Sequence, residues 1–353
     1  MVKISFLGDI SLHGEYLNLR RGKYNPFESV TDILKESDLV IGNLECTAQG
    51  EDGENFLKIP RLQTNMDTLN YLNDIHLKIA CLANNHIYDN LLNGFIKTTK
   101  FLNENQISFL GAATLEKNAK IPLFREINGI KFCFLNYITK DTNPSLPKNV
   151  NIFINWYDPK KAIKDIQNHR RKVDYVIIFM HWGGKFENCY YPDFYQRKIA
   201  KILVDNGADL IIGNHSHTLQ PFEIYKKKHI FYSLGNFCFS DIYHDHTLYY
   251  KLKVKNKNSI ILNLKFEKNL YSLQFQPIQN ERQFIKLKKR DNGFKIRLIF
   301  FWAIKNIPFL WKLTLIKHKY IAPPITFLFN KNYSWRKKIK SFSLKKIKIF
   351  LLK

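Results

Sequence analysis

Short apolar runs that each end at a polar residue recur along the chain. They read KISFLGD (3–9), DLVIGNLE (38–45), KIACLANNH (78–86), DYVIIFMHWG (174–183) and ADLIIGNHSH (208–217). Stretches with helical character separate these runs, at about 27–36, 66–74, 90–105, 158–171 and 193–206. Strands that alternate with helices in this way predict an α/β sandwich.

A strand pair is also predicted within residues 121–137, where IPLFREI and IKFCFLNY flank the dipeptide Asn128-Gly129. Asn-Gly between two apolar runs is a strong hairpin signal, because both residues accept the positive φ angles of a two-residue turn.

The polar residues at the ends of the five runs can bind a metal ion or activate water. Ligands of open α/β sheets bind at the carboxyl ends of the strands. That edge is predicted to carry Asp9, Glu45, Asn85, His181, His215 and His217. Each of them alone is compatible with a turn, a helix cap or a structural hydrogen bond. Their occurrence at five strand ends instead indicates a common site.

The residue types in this set indicate which ion it would bind. Side chains two residues apart on an extended segment point to the same side, so His215 and His217 would act together. Carboxylates, an amide oxygen and imidazoles suit Mn²⁺, Fe²⁺ or Zn²⁺, and the lack of thiolates disfavours a structural zinc site. Six ligands suit two divalent ions roughly 3.5–4 Å apart with a bridging carboxylate, which activate water and orient an oxyanion.

Composition narrows the class of protein. The chain has 353 residues and is 45% hydrophobic, so it has room for one large α/β domain with an appendage, or for two domains. Its five cysteines are scattered singly, which argues against a disulfide framework. The segment MVKISFLGDI lacks the features of a secretory signal. We therefore expect a cytoplasmic protein.

Positive charge is concentrated near the carboxyl end. The net charge is +25, of which residues 281–353 contribute +18. Residues 286–353 are predicted to form a basic, aromatic-rich extension whose longest uncharged apolar run, 298–304, is far shorter than the roughly 20 residues that span a bilayer. Three interpretations remain open: peripheral binding to an anionic membrane surface, docking on the body or a partner protein, and nucleic-acid binding, which charge alone permits.

Six blocks of the sequence resemble a known family. FLGDI, GNLECT, LANNHIYD, MHWGGKFE, GADLIIGNHSHTLQP and FYSLGNF occur in the order found in the CapA family of poly-gamma-glutamate capsule synthesis proteins, a branch of the calcineurin-like metallophosphatase superfamily. The resemblance covers about residues 1–240. It implies a four-layer α/β/β/α sandwich of the metallo-dependent phosphatase type, formed by residues 1–285, with a dinuclear metal site.

The resemblance also implies roles for individual residues. Metal ligands would be Asp9, Glu45, Asn85, His181, His215 and His217, and Glu45 would bridge the two ions. His86 would meet the leaving oxygen, and Asp89, three residues later, could set its tautomer. Glu187 approximately matches the family's HWGxE-like block and is a candidate for substrate contact. Lys185 and Arg61 are further candidates on chemical grounds, since their positive charge could meet an anionic substrate.

The first motif departs from the superfamily pattern. The superfamily usually has Asp-x-His, whereas this chain reads Asp9-Ile10-Ser11-Leu12-His13. The CapA branch generally lacks that histidine, so its absence agrees with the resemblance. One ion would then be a ligand short, and Ser11, His13 or water could complete its coordination.

Two functions follow as hypotheses. The first is a metal-dependent hydrolase of capsule or poly-gamma-glutamate synthesis that cleaves a phosphoester or a related bond. The second is a non-catalytic, metal-containing component of a polymer-synthase complex that binds an anionic polymer or a lipid-linked phosphate. Nucleic acid is not an expected partner, because nothing beyond charge indicates a recognition module.

Overall fold

The computed structural model describes residues 1–142, 144–245 and 247–321. The strands are, in chain order, β1 (Val2–Ile10), β2 (Leu39–Leu44), β3 (Thr47–Ala48), β4 (Gln63–Thr64), β5 (Ile79–Cys81), β6 (Ser108–Leu110), β7 (Ala112–Ala113), β8 (Leu123–Ile127), β9 (Ile130–Ile138), β10 (Phe153–Ile154), β11 (Tyr175–His181), β12 (Leu210–Asn214), β13 (Phe222–Tyr225), β14 (Lys228–Phe231), β15 (Asn236–Cys238), β16 (Ile242–His244), β17 (Thr247–Tyr250), β18 (Asn258–Glu267), β19 (Leu270–Glu281) and β20 (Phe284–Leu287).

The helices lie mostly between these strands. The α-helices are α1 (Glu15–Arg21), α2 (Glu28–Lys35), α3 (Tyr71–Asp74), α4 (Leu91–Glu104), α5 (Glu116–Ala119), α6 (Pro159–Arg170), α7 (Phe194–Asp205), α8 (Val254–Lys257), α9 (Asn292–Ile304) and α10 (Pro308–Ile316). Short 3₁₀ helices cover Thr68–Asn70, Lys140–Thr142 and Gly184–Phe186, and a π-helical segment covers Lys317–Ile321.

The strands and helices expected from the sequence are present. Each of the five apolar runs contains a strand, and α2, α3, α4, α6 and α7 lie within the predicted helical stretches. The hairpin β8–β9 turns at Asn128 and Gly129, whose φ angles are 49° and 75°. The mixed α/β class with several sheets is therefore confirmed.

The first large sheet has the strand order β20-β19-β18-β1-β2-β5-β6. Its strands β1, β2, β5 and β6 are parallel, whereas β18, β19 and β20 continue the sheet in antiparallel pairs. Strand β15 pairs in parallel with the end of β1 and places Asn236 opposite Asp9.

The second large sheet has the order β13-β14-β12-β11-β9-β8. Strands β9, β11, β12 and β14 are parallel, and antiparallel strands lie at both edges. The register pairs His181 of β11 with Asn214 of β12, so both strands end at the same level.

One hydrophobic core joins the two sheets, because it contains alternate side chains from strands of both. The first sheet contributes residues such as Ile4, Phe6 and Ile41, and the second contributes residues such as Phe134 and Ile177. A second core lies on the other face of the first sheet, where residues of β1 and β2 pack with those of α1, α2 and α4. The two sheets therefore meet face to face, and their parallel strand ends can contribute to one site.

The chain divides into two compact units, 1–302 and 303–353. In the second unit α10 buries Trp311 and Leu315. Much of the predicted extension, residues 322–353, lies outside the described residues, so the boundary between 285 and 286 stays a prediction. No helix within the described ranges is long and apolar enough to cross a membrane.

We predict that Gly213→Ala destabilises the fold by about 3 kcal/mol, as expected for overpacking in a core. A Cβ at this position in β12 would overlap the carbonyl oxygen of Tyr232 and lie 2.5 Å from Nε1 of Trp182. The free energy of unfolding in urea measures the effect. Gly293→Ala is the control, because its Cβ would meet only side-chain ends at 3.2–3.3 Å. Equal stability of the two variants would contradict the prediction.

Candidate functional site

The polar residues at the strand ends lie together where the two sheets meet. Asp9 stands near the end of β1, Glu45 follows β2, and His181 is the last residue of β11. The backbone N–H of His215, which follows β12, donates to both carboxylate oxygens of Asp9 at 3.3 Å. The loop after a strand of the second sheet therefore contacts a carboxylate of the first.

Asn43 connects these groups. Its Nδ2 donates to Asp9 Oδ1 at 2.9 Å and to Glu45 Oε1 at 3.0 Å, and it lies 3.3 Å from Nδ1 of His181. Asn43 and Glu45 are two residues apart at the end of β2, so both side chains lie on the same side of the strand. The side chain of Asn43 thus sets the spacing of two buried carboxylates.

Glu45 is central to the site because two histidines approach its carboxylate from different sides. Nδ1 of His181 lies 3.3 Å from Glu45 Oε1, and Nε2 of the same ring lies 2.8 Å from Asn85 Oδ1. Nε2 of His217 lies 3.7 Å from Glu45 Oε2, whereas its Nδ1 contacts Asn236 at 2.9 Å and Asp9 at 3.3 Å.

Two groups of side chains have the geometry to hold a cation. One consists of Asp9, Glu45 and His181, and the other of Glu45, His215 and His217; within each group the ligand atoms lie within 4.8 Å of one another. Glu45 belongs to both groups. The predicted ligand Asn85 lies beside the first group, because its Oδ1 contacts Nε2 of His181.

The buried polar atoms at the site fit a metal ion. Glu45 Oε2 and both ring nitrogens of His215 have no hydrogen-bond partner among the described residues. Such groups are costly to bury unless something binds them. The backbone φ angles of His215 (87°) and His217 (52°) are positive, and strained conformations of this kind concentrate at functional sites. The donor set suits a divalent cation.

Electrostatics supports the same conclusion. Burial, and then the nearby Asp9 carboxylate, hold the pKa of Glu45 well above its usual range. Burial lowers the pKa of His217, but the carboxylates of Glu45 and Asp9 outweigh this effect and raise it to about 10. Burial lowers the pKa of His181 well below its usual value and that of His215 to about 3. Without a metal ion, the site therefore favours the protonated forms of Glu45 and His217 and the neutral forms of His181 and His215.

His86 and Asp89 form the pair that their spacing suggested, with Nδ1 of His86 2.6 Å from Asp89 Oδ2. Lys58, which the sequence did not indicate, joins them: its Nζ lies 3.0 Å from Asp89 Oδ1 and 3.0 Å from His86 Nδ1. Burial and then the Lys58 ammonium lower the pKa of His86 to about 4. Burial raises the pKa of Asp89, but Lys58 and His86 outweigh it and hold that pKa below its usual value.

A cavity of about 480 Å³ opens beside these residues. Its lining includes His86, His215, His217 and Lys58. Of the three residues predicted to contact substrate, Glu187 lines this cavity.

The other two candidate substrate residues lie elsewhere. Arg61 pairs with Glu54, donates to the carbonyl of Lys58 at 2.9 Å and lines a neighbouring cavity of about 720 Å³. Lys185 is exposed, with its Nζ 5.9 Å from the ring centroid of Phe186. Their roles stay predictions.

The first-motif candidates form a contact with each other. Ser11 Oγ lies 2.7 Å from Nδ1 of His13, and the rings of His13 and His217 both contact Phe239, with centroids 4.9 and 4.8 Å apart. Neither Ser11 nor His13 belongs to the two cation-binding groups formed by the described residues. Ser11, His13 and water all remain predictions for the additional ligand.

We predict that Glu45→Gln abolishes stable binding of divalent metal, because Glu45 is shared by both groups. The metal-free variant should unfold at the same temperature as the wild type or higher, since it lacks one of two repelling buried carboxylates. Metal content after Mn²⁺ loading and gel filtration tests the first expectation, and thermal unfolding tests the second.

Glu36→Gln is the matched control for this experiment. Glu36 pairs with Lys3 at the surface, outside the site, and its replacement should leave the metal content unchanged. Full Mn²⁺ content in Glu45→Gln would show that the two groups do not hold the ion.

We also predict that metal binding releases at least one proton at pH 8. His217, with a pKa of about 10 in the metal-free site, must lose a proton before it can bind a cation. The affinity for Mn²⁺ should rise by roughly tenfold per pH unit and level off near pH 10. Calorimetric titrations in two buffers of different ionisation enthalpy measure the release, and identical heats in both would contradict the prediction.

The chain is similar to proteins of a known family. The chain matches the family model "Bacterial capsule synthesis protein PGA_cap" over residues 3–241. It is 32% identical over 254 residues to "Capsule biosynthesis protein CapA" of Bacillus anthracis, a match that covers 67% of this chain and 59% of that protein. It is 30% identical over 245 residues to "PGA biosynthesis protein CapA" of Bacillus subtilis (strain 168), with coverage of 68% and 63%.

Among solved structures, a 5'-nucleotidase precursor from Thermus thermophilus aligns with 86% of this chain and 60% of its own, at 12% identity and a TM-score of 0.42. The chain spans less than two thirds of the length of the two curated relatives. The family model nevertheless matches residues 3–241, which is most of the chain, and this range includes every predicted metal ligand. The protein therefore belongs to the bacterial capsule synthesis protein family PGA_cap.

Proposed function

We propose that this protein acts in the synthesis of a capsule or of poly-gamma-glutamate, as a metal-dependent hydrolase of a phosphoester or a related bond. The position of Glu45 in both cation-binding groups is the observation that carries the proposal. A carboxylate that belongs to both groups would hold two divalent ions next to each other. We accordingly assign two ions, Mn²⁺, Fe²⁺ or Zn²⁺, to the ligands Asp9, Glu45, Asn85, His181, His215 and His217.

The order of layers agrees with this assignment. The two sheets share a core, residues of α1, α2 and α4 pack on the far side of the first sheet, and α6 lies against β11 of the second. We interpret this as the four-layer α/β/β/α sandwich of metallo-dependent phosphatases, in which the site lies at the junction of the two sheets.

The chain's own residues would bind and orient the reactants. Two divalent ions, when bound, polarise a phosphoryl oxygen and lower the pKa of water. Asn43 holds the carboxylates of Asp9 and Glu45 at a defined separation. His86 is neutral near pH 7, and Asp89 accepts the hydrogen on its Nδ1. Nε2 of His86 is then free to accept a hydrogen bond from water or a hydroxyl group in the cavity.

A non-catalytic role is the second candidate. Ser11 stands where the superfamily usually has a histidine, so one ion would have fewer protein ligands than in a typical member. In that case the site would bind an anionic polymer or a lipid-linked phosphate within a polymer-synthase complex. We further propose that residues 286–353 contact an anionic membrane surface, since they carry most of the net positive charge.

We predict that the Mn²⁺-loaded protein hydrolyses a model phosphodiester such as bis-p-nitrophenyl phosphate. Glu45→Gln and His215→Ala should each lower the rate at least roughly 100-fold, because each removes a proposed ligand of the ions that stabilise negative charge in the transition state. Release of nitrophenol measures the rate, and Glu36→Gln should behave as the wild type. Bound metal without turnover of any phosphoester in a broad panel would favour the non-catalytic role.

A further inference from the structure

Lys58 is a buried cation at the edge of the metal-binding groups. Its side chain is 7% exposed. Its Nζ donates to the backbone oxygen of Asn85 at 2.5 Å and to Asp89 Oδ1 at 3.0 Å. Lysine is almost never buried to this extent unless it is paired, and Asp89, which is fully buried, supplies the opposite charge.

The hydrogen bonds around Asp89 leave Lys58 with one donor to spare. An ammonium group has three N–H donors. The 2.6 Å contact between His86 Nδ1 and Asp89 Oδ2 requires a hydrogen between the two atoms, since an unprotonated ring nitrogen and a carboxylate oxygen both accept. His86 Nδ1 is therefore a donor and cannot accept from Lys58, although the two nitrogen atoms are 3.0 Å apart. Among the residues that the structure describes, only two of the three donors are then used.

The cavity beside the site is where a third acceptor can lie. Lys58 lines it together with His86, His215 and His217. Among the described residues of this lining, Lys58 is the only lysine or arginine, whereas Asp141 and Glu187 are acidic. When metal is bound and its histidine ligands are neutral, an anion that enters the cavity meets Lys58 as the one lysine or arginine of the described lining, adjacent to the cation-binding groups.

The position of Lys58 is held by its own segment. The backbone carbonyl of Asn55 accepts a hydrogen bond from the backbone N–H of Lys58 at 3.2 Å. The backbone N–H of Asn55 donates to the carbonyl of Asp89 at 2.9 Å. Leu62, on the other side, donates its N–H to Asp89 Oδ2 at 2.7 Å. Because the ammonium group is already ordered, a ligand would bind it without the entropic cost of fixing a mobile lysine.

We propose that Lys58 is a ligand-binding residue whose third N–H donates to an oxyanion in the cavity, either a phosphoryl or a carboxylate oxygen. The inference rests on the proposed function, because it assumes that the cavity receives a phosphoester or an anionic polymer. It assigns to Lys58 a direct contact with the ligand. A lysine that only braces Asn85 and Asp89 would act on the metal ligands instead.

The test compares Lys58→Met, Lys58→Arg and the wild type as full-length, Mn²⁺-loaded proteins. Calorimetry measures the affinity for two probes, inorganic phosphate and glutarate, and elemental analysis measures the Mn²⁺ content. Loss of a charge-assisted hydrogen bond should weaken binding roughly 10- to 100-fold in Lys58→Met. Its Mn²⁺ content should equal that of the wild type, and Lys58→Arg should recover part of the affinity because it keeps the charge.

Lys97→Met is the matched control, since Lys97 pairs with Glu51 at the surface and should not affect either measurement. The probe whose binding depends on Lys58 identifies the oxyanion as phosphoryl, carboxylate or both.

Three results would overturn the proposal. The first is an unchanged affinity of Lys58→Met for both probes. The second is a parallel loss of Mn²⁺ and probe in that variant, which is the behaviour of a brace. The third is the absence of binding of either probe by the metal-loaded wild type. Failure of phosphodiester turnover, with probe binding that still depends on Lys58, would refute only the hydrolase and leave the role of Lys58 intact.

Discussion

Repulsion between two buried carboxylates is the constraint around which this site is built. Asp9 and Glu45 are fully buried and share one asparagine, so each lacks hydration and faces a like charge. The protein offers partial compensation through Asn43, the backbone N–H of His215 and the His217 imidazole. A divalent cation compensates more completely than these groups do. The features that make the metal-free site costly are therefore those that would give a metal ion its affinity.

Two sheets are needed to bring the charges together. Asp9 and Glu45 come from parallel strands of the first sheet, whereas His181 and His215 come from the second. Neither sheet alone carries all the residues of either cation-binding group. Packing of alternate apolar side chains between the sheets thus fixes the distances at the site. A core residue far from the cavity would therefore affect the proposed metal binding through the relative position of the two sheets.

The sequence predicted the parts of the site that follow buried strands. Apolar runs that stop at a polar residue identified Asp9, Glu45, His181, His215 and His217, because strand ends in such sheets have a known location. Lys58 could not be found in this way, since it lies on an irregular segment whose position depends on tertiary contacts with Asn85 and Asp89. Asn43 was within a recognised block but resembled an ordinary strand residue. Strands β18 and β19 were missed because they follow the blocks that carried the resemblance.

The pairing of β18 with β1 has a consequence for where the functional unit ends. The family match stops at residue 241, yet β18, at Asn258–Glu267, forms the antiparallel neighbour of the strand that carries Asp9. A fragment cut at the end of the match would keep the pairing of β15 with the end of β1 but would leave the segment Val2–Phe6 without its β18 partner and open to association with another chain. The segment up to Glu281, although it supplies none of the predicted ligands, is thus part of the same sheet as the carboxylates of Asp9 and Glu45.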